Sequence, residues 1–350
     1  MKALVAMSGG VDSSVAAALA KQAGWDVLGV TMKLWKGPGG EAPTAGCCTV
    51  SDAEDARRVA AHLDIPYYVW DYTAEFMSGV VNTFIDDYVT GRTPNPCVEC
   101  NRTVKFDRLL AHADALDCDT VVTGHYARVD RSNGRYRLRR GVDPDKDQSY
   151  VLSMLGQEQL GRLSFPVGDL TKTETRRIAA DLGLRTAAKA DSQDICFVGK
   201  GDYREFLASQ GVNPPPGPIV DSDGNLLGIH QGVTNFTIGQ RRGLGVAVGE
   251  PRYVVEIDPV TSTITVGTRE ELGVTAVLLG DASWVDRPVG GSLLAQYRAH
   301  GDAVEADVWQ KAQPVRVMFA EPQPGVAPGQ TLALYRDDEV VGGGIIHTTS

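Results

Sequence analysis

The apolar run Lys2-Ala3-Leu4-Val5-Ala6-Met7 opens directly into Ser8-Gly9-Gly10-Val11-Asp12-Ser13-Ser14, which leads into the helix-patterned Val15-Ala16-Ala17-Ala18-Leu19-Ala20. A β-rich run, a turn of small residues and a helix start, in that order, commit the N-terminus to a βα unit and so to a mostly parallel sheet. The turn also suits an anion. Backbone N–H groups unobstructed by side chains, serine hydroxyls and the positive end of a helix dipole converge on it. It lacks the Gly-Lys-Ser/Thr ending of a Walker loop and is not Gly-x-Gly-x-x-Gly, which weakens kinase and Rossmann dehydrogenase readings. The plain alternative is a Gly-Ser turn that merely leads into a helix.

The first two hundred residues keep this alternation. Strands are expected at Ala3–Met7, Val27–Met32, Tyr67–Trp70 and Thr120–Thr123, and helices at Val11–Ala23, Asp52–Leu63, Ala74–Thr90, Val104–Ala115 and Thr173–Leu182. This predicts a doubly wound parallel sheet with its ligand beyond the strand C-termini. Around Gly199 the pattern changes: Pro214-Pro215-Pro216-Gly217-Pro218 is a stiff break, Asp221-Ser222-Asp223-Gly224-Asn225 a turn, and Gly232–Gly249 reads as strands and loops. From Val274 onward, alternating segments between Pro/Gly turns suggest an antiparallel barrel. The expected units are 1–199 (α/β catalytic domain), 200–273 (small central α+β domain) and 274–350 (C-terminal antiparallel β-barrel).

A chain of 350 residues, 43% hydrophobic and 22% charged, has room for two or three such cores. No window approaches about eighteen uninterrupted apolar residues, and no basic leader precedes the first strand, so a cytoplasmic protein without membrane association is expected. The net charge of −10 argues against indiscriminate nucleic-acid binding. It leaves room for a local basic face, and Arg128, Arg131, Arg135, Arg137, Arg139, Arg140 and Lys146 form the densest cationic stretch, read either as a solvated hairpin or as a polyanion contact.

Six cysteines in a chain without an export signal point to chemistry or packing rather than to permanent disulfides. In Thr93-Pro94-Asn95-Pro96-Cys97-Val98-Glu99-Cys100-Asn101, two prolines impose an extended loop, and Asn101 is expected to cap the helix that follows. Cys100 would then sit at a helix N-terminus, where the dipole with Arg102 and Lys105 favours a thiolate. Cys196 lies in the polar stretch Asp191–Phe197, poor ground for a structural cysteine. The spacing Cys97-x-x-Cys100 is equally compatible with half a zinc site or a redox pair, although no second Cys-x-x-Cys or His cluster completes a zinc site. Cys118, next to a predicted strand, reads as a core residue. Cys47-Cys48 receive no role.

Ser8–Ser14 resembles the pyrophosphate loop of ATP pyrophosphatases. Gly46-Cys47-Cys48 with Asp52–Arg57, Thr93–Phe106, Thr123-Gly124-His125-Tyr126-Ala127, Asp145–Tyr150, Asp191–Phe197 and Gly239-Gln240-Arg241-Arg242-Gly243-Leu244 join it, in one order over nearly the whole chain. Together they resemble the bacterial tRNA-specific 2-thiouridylases. That resemblance implies replacement of oxygen by sulfur at C2 of the tRNA wobble uridine: ATP adenylates the carbonyl oxygen and pyrophosphate leaves, with Mg²⁺ on the phosphates. It assigns ATP to Ala6, Met7, Ser8, Gly9, Gly10, Val11, Asp12, Ser13, Met32 and Gly124, with Asp12 positioning phosphate or metal. It makes Cys100 the nucleophile and Cys196 the persulfide carrier, the two forming a transient disulfide, with sulfur from an upstream donor such as a cysteine desulfurase or relay protein. It assigns tRNA contacts to Asn95, Pro96 and Cys97 at the target base, and to His125, Lys146, Asp147, Gln148, Gln296, Tyr297 and Gln330. Cys97 stands where many relatives have aspartate, so Cys97, Cys100 and Cys196 also suit a 4Fe-4S cluster with an open iron. Two other classes remain in view: a pyrophosphate-loop synthetase or amidotransferase using an amine, and a nucleotide- or tRNA-binding module without catalysis.

Overall fold

The computed structural model describes residues 1–37, 49–191, 195–198, 202–246, 249–311 and 314–350. The Cys47-Cys48 pair, Ser192–Asp194 of the third cysteine motif and the junction at 199/200 lie outside the described residues.

Among the described residues, β1 (Lys2–Ala6), β2 (Asp26–Lys33), β3 (Tyr67–Asp71), β4 (Thr120–Val122) and β7 (Leu163–Ser164) form a parallel sheet in the order β3-β2-β1-β4-β7. Alternation along β1 sends Leu4 to one face and Ala3 and Val5 to the other, so each face has its own core. α1 (Val11–Gln22), α2 (Val50–His62) and the helix Lys172–Asp181 contribute to the Ala3/Val5 side. The opposite face holds Thr73–Phe76 and Asn82–Val89, joined by a wide π-type turn, and Pro96–Cys100 and Phe106–Ala115, joined by another over Asn101–Lys105. The chain leaves β1 toward β2 on one side and returns to β4 on the other. The crevice between the loops after β1 and β4 is therefore the topological switch point, where such sheets bind ligands. The two-residue β7 has too short a pattern to be visible in sequence.

A second sheet combines β8 (Gly217–Asp221), β9 (Leu226–His230), β10 (Tyr253–Asp258) and β11 (Thr263–Gly267) in the order β10-β11-β8-β9. The Asp221–Asn225 turn forms as its residues dictate: the Asp221 carboxylate accepts from the backbone N–H of Asp223 (3.1 Å) and Asn225 (2.8 Å). The Gly232–Gly249 stretch, expected to hold strands, has a short 3₁₀ turn at Val233–Asn235 and loops among its described residues; its glycines break strand continuity.

The third sheet runs β12 (Gly273–Trp284), β15 (Val315–Pro324), β14 (Val304–Trp309), β13 (Gly291–Gln296), β16 (Thr331–Arg336) and β17 (Glu339–Thr349), and β17 pairs back with β12 to close a barrel. Onto the start of β17 docks the hairpin β5 (Ala127–Ser132) and β6 (Arg135–Arg140), through Glu339↔Arg139 and Val340↔Leu138. This corrects the reading of the hairpin as a free cationic face. Arg128 and Arg139 bond Asp338 at 2.9 and 2.6 Å, Arg137 bonds Glu339 at 3.1 Å, and Arg135 pairs with Asp286. Arg140 bonds Asp147 at 2.8 Å and Gln296 at 3.0 Å, with its guanidinium 3.8 Å from the ring centre of Tyr335. The arginines fasten the first domain to the barrel.

Candidate active site

α1 starts with no side-chain cap on its first N–H groups; its N-cap is Gly10. Four orphan donors and the helix dipole therefore face the crevice. Hydroxyls shape the loop from within: Ser13 Oγ accepts from Ser8 N–H at 3.1 Å, and Ser14 Oγ donates to the Gly10 carbonyl at 2.7 Å. Gly9 adopts φ +74° against the backbone of Asp52, whose carbonyl would lie 2.2 Å from an added Cβ. Gly124 faces the same helix start from the other wall, where a Cβ would meet Ser13 N at 2.6 Å. Ala6, Met7, Gly9, Gly10, Val11, Asp12, Ser13 and Gly124 thus converge, with Ser8 exposed at the rim. The side chain of Met7 is buried, and its backbone ties β1 to β2 through Val30 (2.8 Å) and Thr31 (2.6 Å), one residue before the buried Met32.

The carboxylate of Asp12 does not face the crevice as a free ligand. Lys172 Nζ donates to both of its oxygens at 2.8 Å, and the Tyr126 hydroxyl donates at 2.8 Å. Lys172 also reaches Asp191 (2.9 Å), which Lys146 (2.9 Å) and Arg176 (2.8 Å) join. Burial raises the Asp191 carboxyl, but the hydrogen bonds and charges of Lys146 and Lys172 outweigh it and hold it down at about 2. Lys189 donates to the Gly9 carbonyl (3.0 Å), Asp52 (2.7 Å) and Asp55 (2.7 Å), closing the loop's far side.

Sequence reasoning missed Lys172, Arg176, Lys189 and Tyr126. One signal was available for Lys172: Thr171 and Glu174 form a capping box that puts a lysine in a helix's first turn, against the dipole. Lys189 follows a 3₁₀ turn and carries no local mark.

The thiol segment differs from expectation. Asn95, not Asn101, is the cap: its side-chain oxygen accepts from Cys97 N–H (3.2 Å) and Val98 N–H (3.3 Å), with Pro96 in the first turn. The exposed Cys97 therefore occupies the first turn, and the buried Cys100 sits a turn later, where the π-type stretch begins. Asn101 instead donates to the Val151 carbonyl at 3.1 Å. Cys100 belongs to the large core on this face, and the half-buried Cys196 packs against the same core. Next to it, Phe197 meets Phe84 and Phe206 at 5.1 Å between ring centres. Cys118 is buried, and burial raises its thiol pKa, as suits a core residue.

Thr93 N–H donates to the Pro328 carbonyl at 2.7 Å, which sets the barrel loop that carries Gln330 beside the Asn95–Cys97 turn. Gln330 accepts from Ala327 N–H at 3.0 Å, and Tyr150 bonds the Thr331 carbonyl at 2.8 Å. Gln148 pairs with Tyr126 through backbone and side chain. Asp147 accepts from Arg140 and Ser149. Gln296 and Tyr297 are buried, the first bonded to Arg140, Arg298 and Ala299, the second to Gln323. His125 lies between Phe106 and Phe165, bonds Thr123 Oγ1 at 2.7 Å, and has its imidazole pushed down to about 3 by burial and Lys105. Among the described residues, no three His, Cys, Asp or Glu side chains are grouped to hold a metal ion. Cys97, Cys100 and Cys196 are all described and do not form such a group.

A parallel α/β sheet with an uncapped Ser-Gly-Gly loop at its switch point, followed by two β domains, defines a multidomain nucleotide-site protein of the HUP class. Residues 1–200 match the family described as tRNA methyl transferase HUP domain, 204–268 its PRC-barrel domain and 274–346 the aminomethyltransferase beta-barrel domain. The chain is 48% identical over 370 residues to the tRNA-specific 2-thiouridylase MnmA of Roseiflexus sp. (strain RS-1), covering 99% of each. It is 50% identical to that of Chloroflexus aurantiacus (98% and 97% covered) and 49% identical to that of Frankia casuarinae (100% and 99%). The chain belongs to the tRNA-specific 2-thiouridylase family.

Proposed function

We propose that this protein is an ATP-dependent tRNA-uridine 2-sulfurtransferase acting at the wobble position, in the cytoplasm where tRNA is found. One observation carries the reading: Lys189 and Asp191 are bonded into the network around the Ser8–Ser14 loop, and Cys196, five residues after Asp191, packs on the core that holds Cys100. The nucleotide loop's network and one of the two thiols are thus joined by one short stretch of sequence, and the second thiol belongs to the core that the first packs on. The domain descriptions speak of methyl transfer, which does not call for an ATP-phosphate cradle; sulfur transfer to an ATP-activated carbonyl, released by a second thiol, uses both the cradle and the two cysteines.

ATP phosphates would lie on the α1 N-terminus, bringing Mg²⁺ as their counter-ion. Asp12, engaged by Lys172 and Tyr126, would orient the cradle rather than ligate that ion. The C2 carbonyl oxygen attacks the α-phosphorus and pyrophosphate leaves, which turns a poor leaving group into AMP. A sulfur donor of the cysteine desulfurase or relay type loads Cys196 as a persulfide. Its terminal sulfur attacks C2 and AMP departs; the Cys100 thiolate then attacks Cys196 Sγ, which frees the thiocarbonyl and leaves a Cys100–Cys196 disulfide for an external thiol to reduce. The alternative release, in which Cys100 attacks the persulfide first and sulfide adds to C2, gives the same disulfide. Among the described residues Cys97, Cys100 and Cys196 are not grouped as a metal-ligand set, so the reading rests on the persulfide route.

The tRNA would be held at the Asn95–Cys97 turn and by the neighbouring Gln330 loop, with His125, Lys146, Asp147, Gln148, Gln296 and Tyr297 shaping the wall behind them. The test is Cys100→Ala and Cys196→Ala assayed with cognate tRNA. Both are expected to lose thiolation and to keep ATP binding. Thiolated tRNA at the normal rate from either variant would sink the assignment, and full activity of Cys100→Ser would favour an amine-using synthetase.

A further inference from the structure

A cavity of about 640 Å³, separate from the nucleotide crevice, is lined by Tyr203, Arg204, Thr237, Gln240, Arg241 and Arg242, among others. It lies where the three domains meet. The Tyr203 ring stacks on Tyr88 of the first domain at 4.7 Å, and an added Cβ on Gly239 would come within 3.5 Å of Gly325 in the barrel. The loop is built to hold its shape. The Gln240 side chain accepts from Thr237 N–H at 3.2 Å and donates to the Arg242 carbonyl at 2.9 Å. Gly239 and Gly243 take φ +85° and +73°, and the buried Leu244 anchors the end. Between these fixed points Arg241 and Arg242 are exposed.

The hairpin arginines meet Asp130, Asp286, Asp338 and Glu339, and Arg204, at the same cavity, pairs with Asp202 at 2.7 Å. Arg241 and Arg242 have no carboxylate partner among the described residues. A rigid loop presenting two adjacent exposed guanidinia in a chain of net charge −10 is suited to an anion from outside, and the planar fork matches phosphate oxygens two at a time.

We propose that Arg241 and Arg242 form a phosphate-backbone subsite for the tRNA, distinct from the target-base site. The proposal deepens the sulfurtransferase reading and rests on it. The surface is continuous: Gly239 abuts Gly325, whose carbonyl accepts from Arg298 at 3.0 Å, and the Arg298 carbonyl accepts from Gln296 at 3.0 Å. Farther along the same barrel loop, Pro328 bonds Thr93 at the start of the Asn95–Cys97 turn. A stem whose loop ends at Cys97 would run along this edge and bring phosphates to the two arginines.

The test compares the full chain with its Arg241→Ala/Arg242→Ala and Arg241→Lys/Arg242→Lys doubles. Binding of an unmodified tRNA transcript is followed by fluorescence anisotropy between about 50 and 200 mM salt. The alanine double should weaken tRNA binding about tenfold at low salt and flatten the slope of log K against log salt by about 1.5 to 2. ATP affinity and thermal midpoint should stay unchanged, and the lysine double should keep most of the slope. Wild-type tRNA binding with an unaltered slope in the alanine double overturns the subsite alone. Equal losses in both doubles also overturn it, since a structural role would not discriminate by charge. Failure of the wild-type chain to bind tRNA overturns the sulfurtransferase reading itself.

Discussion

Lys172 donates to both carboxylate oxygens of Asp12 at 2.8 Å while its ammonium also lies 2.9 Å from Asp191. Its side chain is only 12% exposed, so this ion triad is little screened by solvent. Around the phosphate cradle, Lys146, Lys172 and Arg176 thus meet Asp12 and Asp191, while Lys189 and Arg58 meet Asp52 and Asp55.

Removing Lys172 takes away the positive excess of its cluster, where a triphosphate must bind. Lys172→Gln is expected to raise the ATP Kd at least about tenfold, or about 1.4 kcal/mol. Isothermal titration with ATP measures it. An unchanged Kd would mean that the lysine serves only the fold.

Gly124 approaches the start of α1 more closely than any side chain permits, with Ser13 N at 2.6 Å and the Asp12 carbonyl carbon at 2.7 Å from a built Cβ. Both neighbours are backbone and cannot swing aside. Gly124→Ala should destabilise the protein by about 1–3 kcal/mol as the loop is pushed away, and ATP affinity should fall with it. Thermal melts with and without ATP report both; an alanine variant with the wild-type ATP-induced shift contradicts this geometry.

Much of this site is legible in the residues themselves. Ser8–Ser14 declares a strand–turn–helix anion site because glycines and small hydroxyls have little other reason to sit there, and the switch point follows from the βα alternation. Asn101 was misread because two asparagines flank the Cys97–Cys100 stretch and a local rule cannot choose between them. The Pro96 that follows Asn95 was the better guide, since proline belongs in a first helical turn. The hairpin arginines were misread for another reason. Their partners Asp286, Asp338 and Glu339 lie some 150 to 210 residues away, and no local count of charge reveals a cross-domain ion pair.

His125 carries a pH prediction with a definite sign. Burial, with Lys105, lowers its imidazole from 6.5 to about 3, so the folded chain refuses a proton that the unfolded chain accepts. The stabilising contribution is complete above about pH 6.5 and is lost progressively as pH falls toward about 3. Near pH 5.5 the loss should be about 1.4 kcal/mol. Urea unfolding of wild type and His125→Gln between pH 7.5 and 5 should show the shallower pH slope in the variant. Parallel slopes would place the proton uptake elsewhere.

The docked hairpin makes the first domain and the barrel one folding unit, and Asp338 is its chief fastening. It accepts from Arg128 at 2.9 Å and from Arg139 at 2.6 Å, while its backbone carbonyl takes the Arg140 N–H at 2.9 Å. Asp338→Ala keeps the backbone bond and takes one carboxylate partner from each of two guanidinia, Arg139 retaining Asp130 and Arg128 the Arg140 carbonyl. With side-chain exposures of 41%, 31% and 23% for Asp338, Arg128 and Arg139, the pairs are partly screened. Each is worth at most about 1 kcal/mol, and the variant should lose about 0.5–2 kcal/mol, or a few degrees in Tm. Because the loss is electrostatic, the gap between wild type and variant should narrow in about 1 M salt, where the Debye length falls to about 3 Å. If instead the gap is the same in low and high salt, the hairpin is held by the Leu138–Val340 packing and strand pairing, and the arginines serve only its solubility.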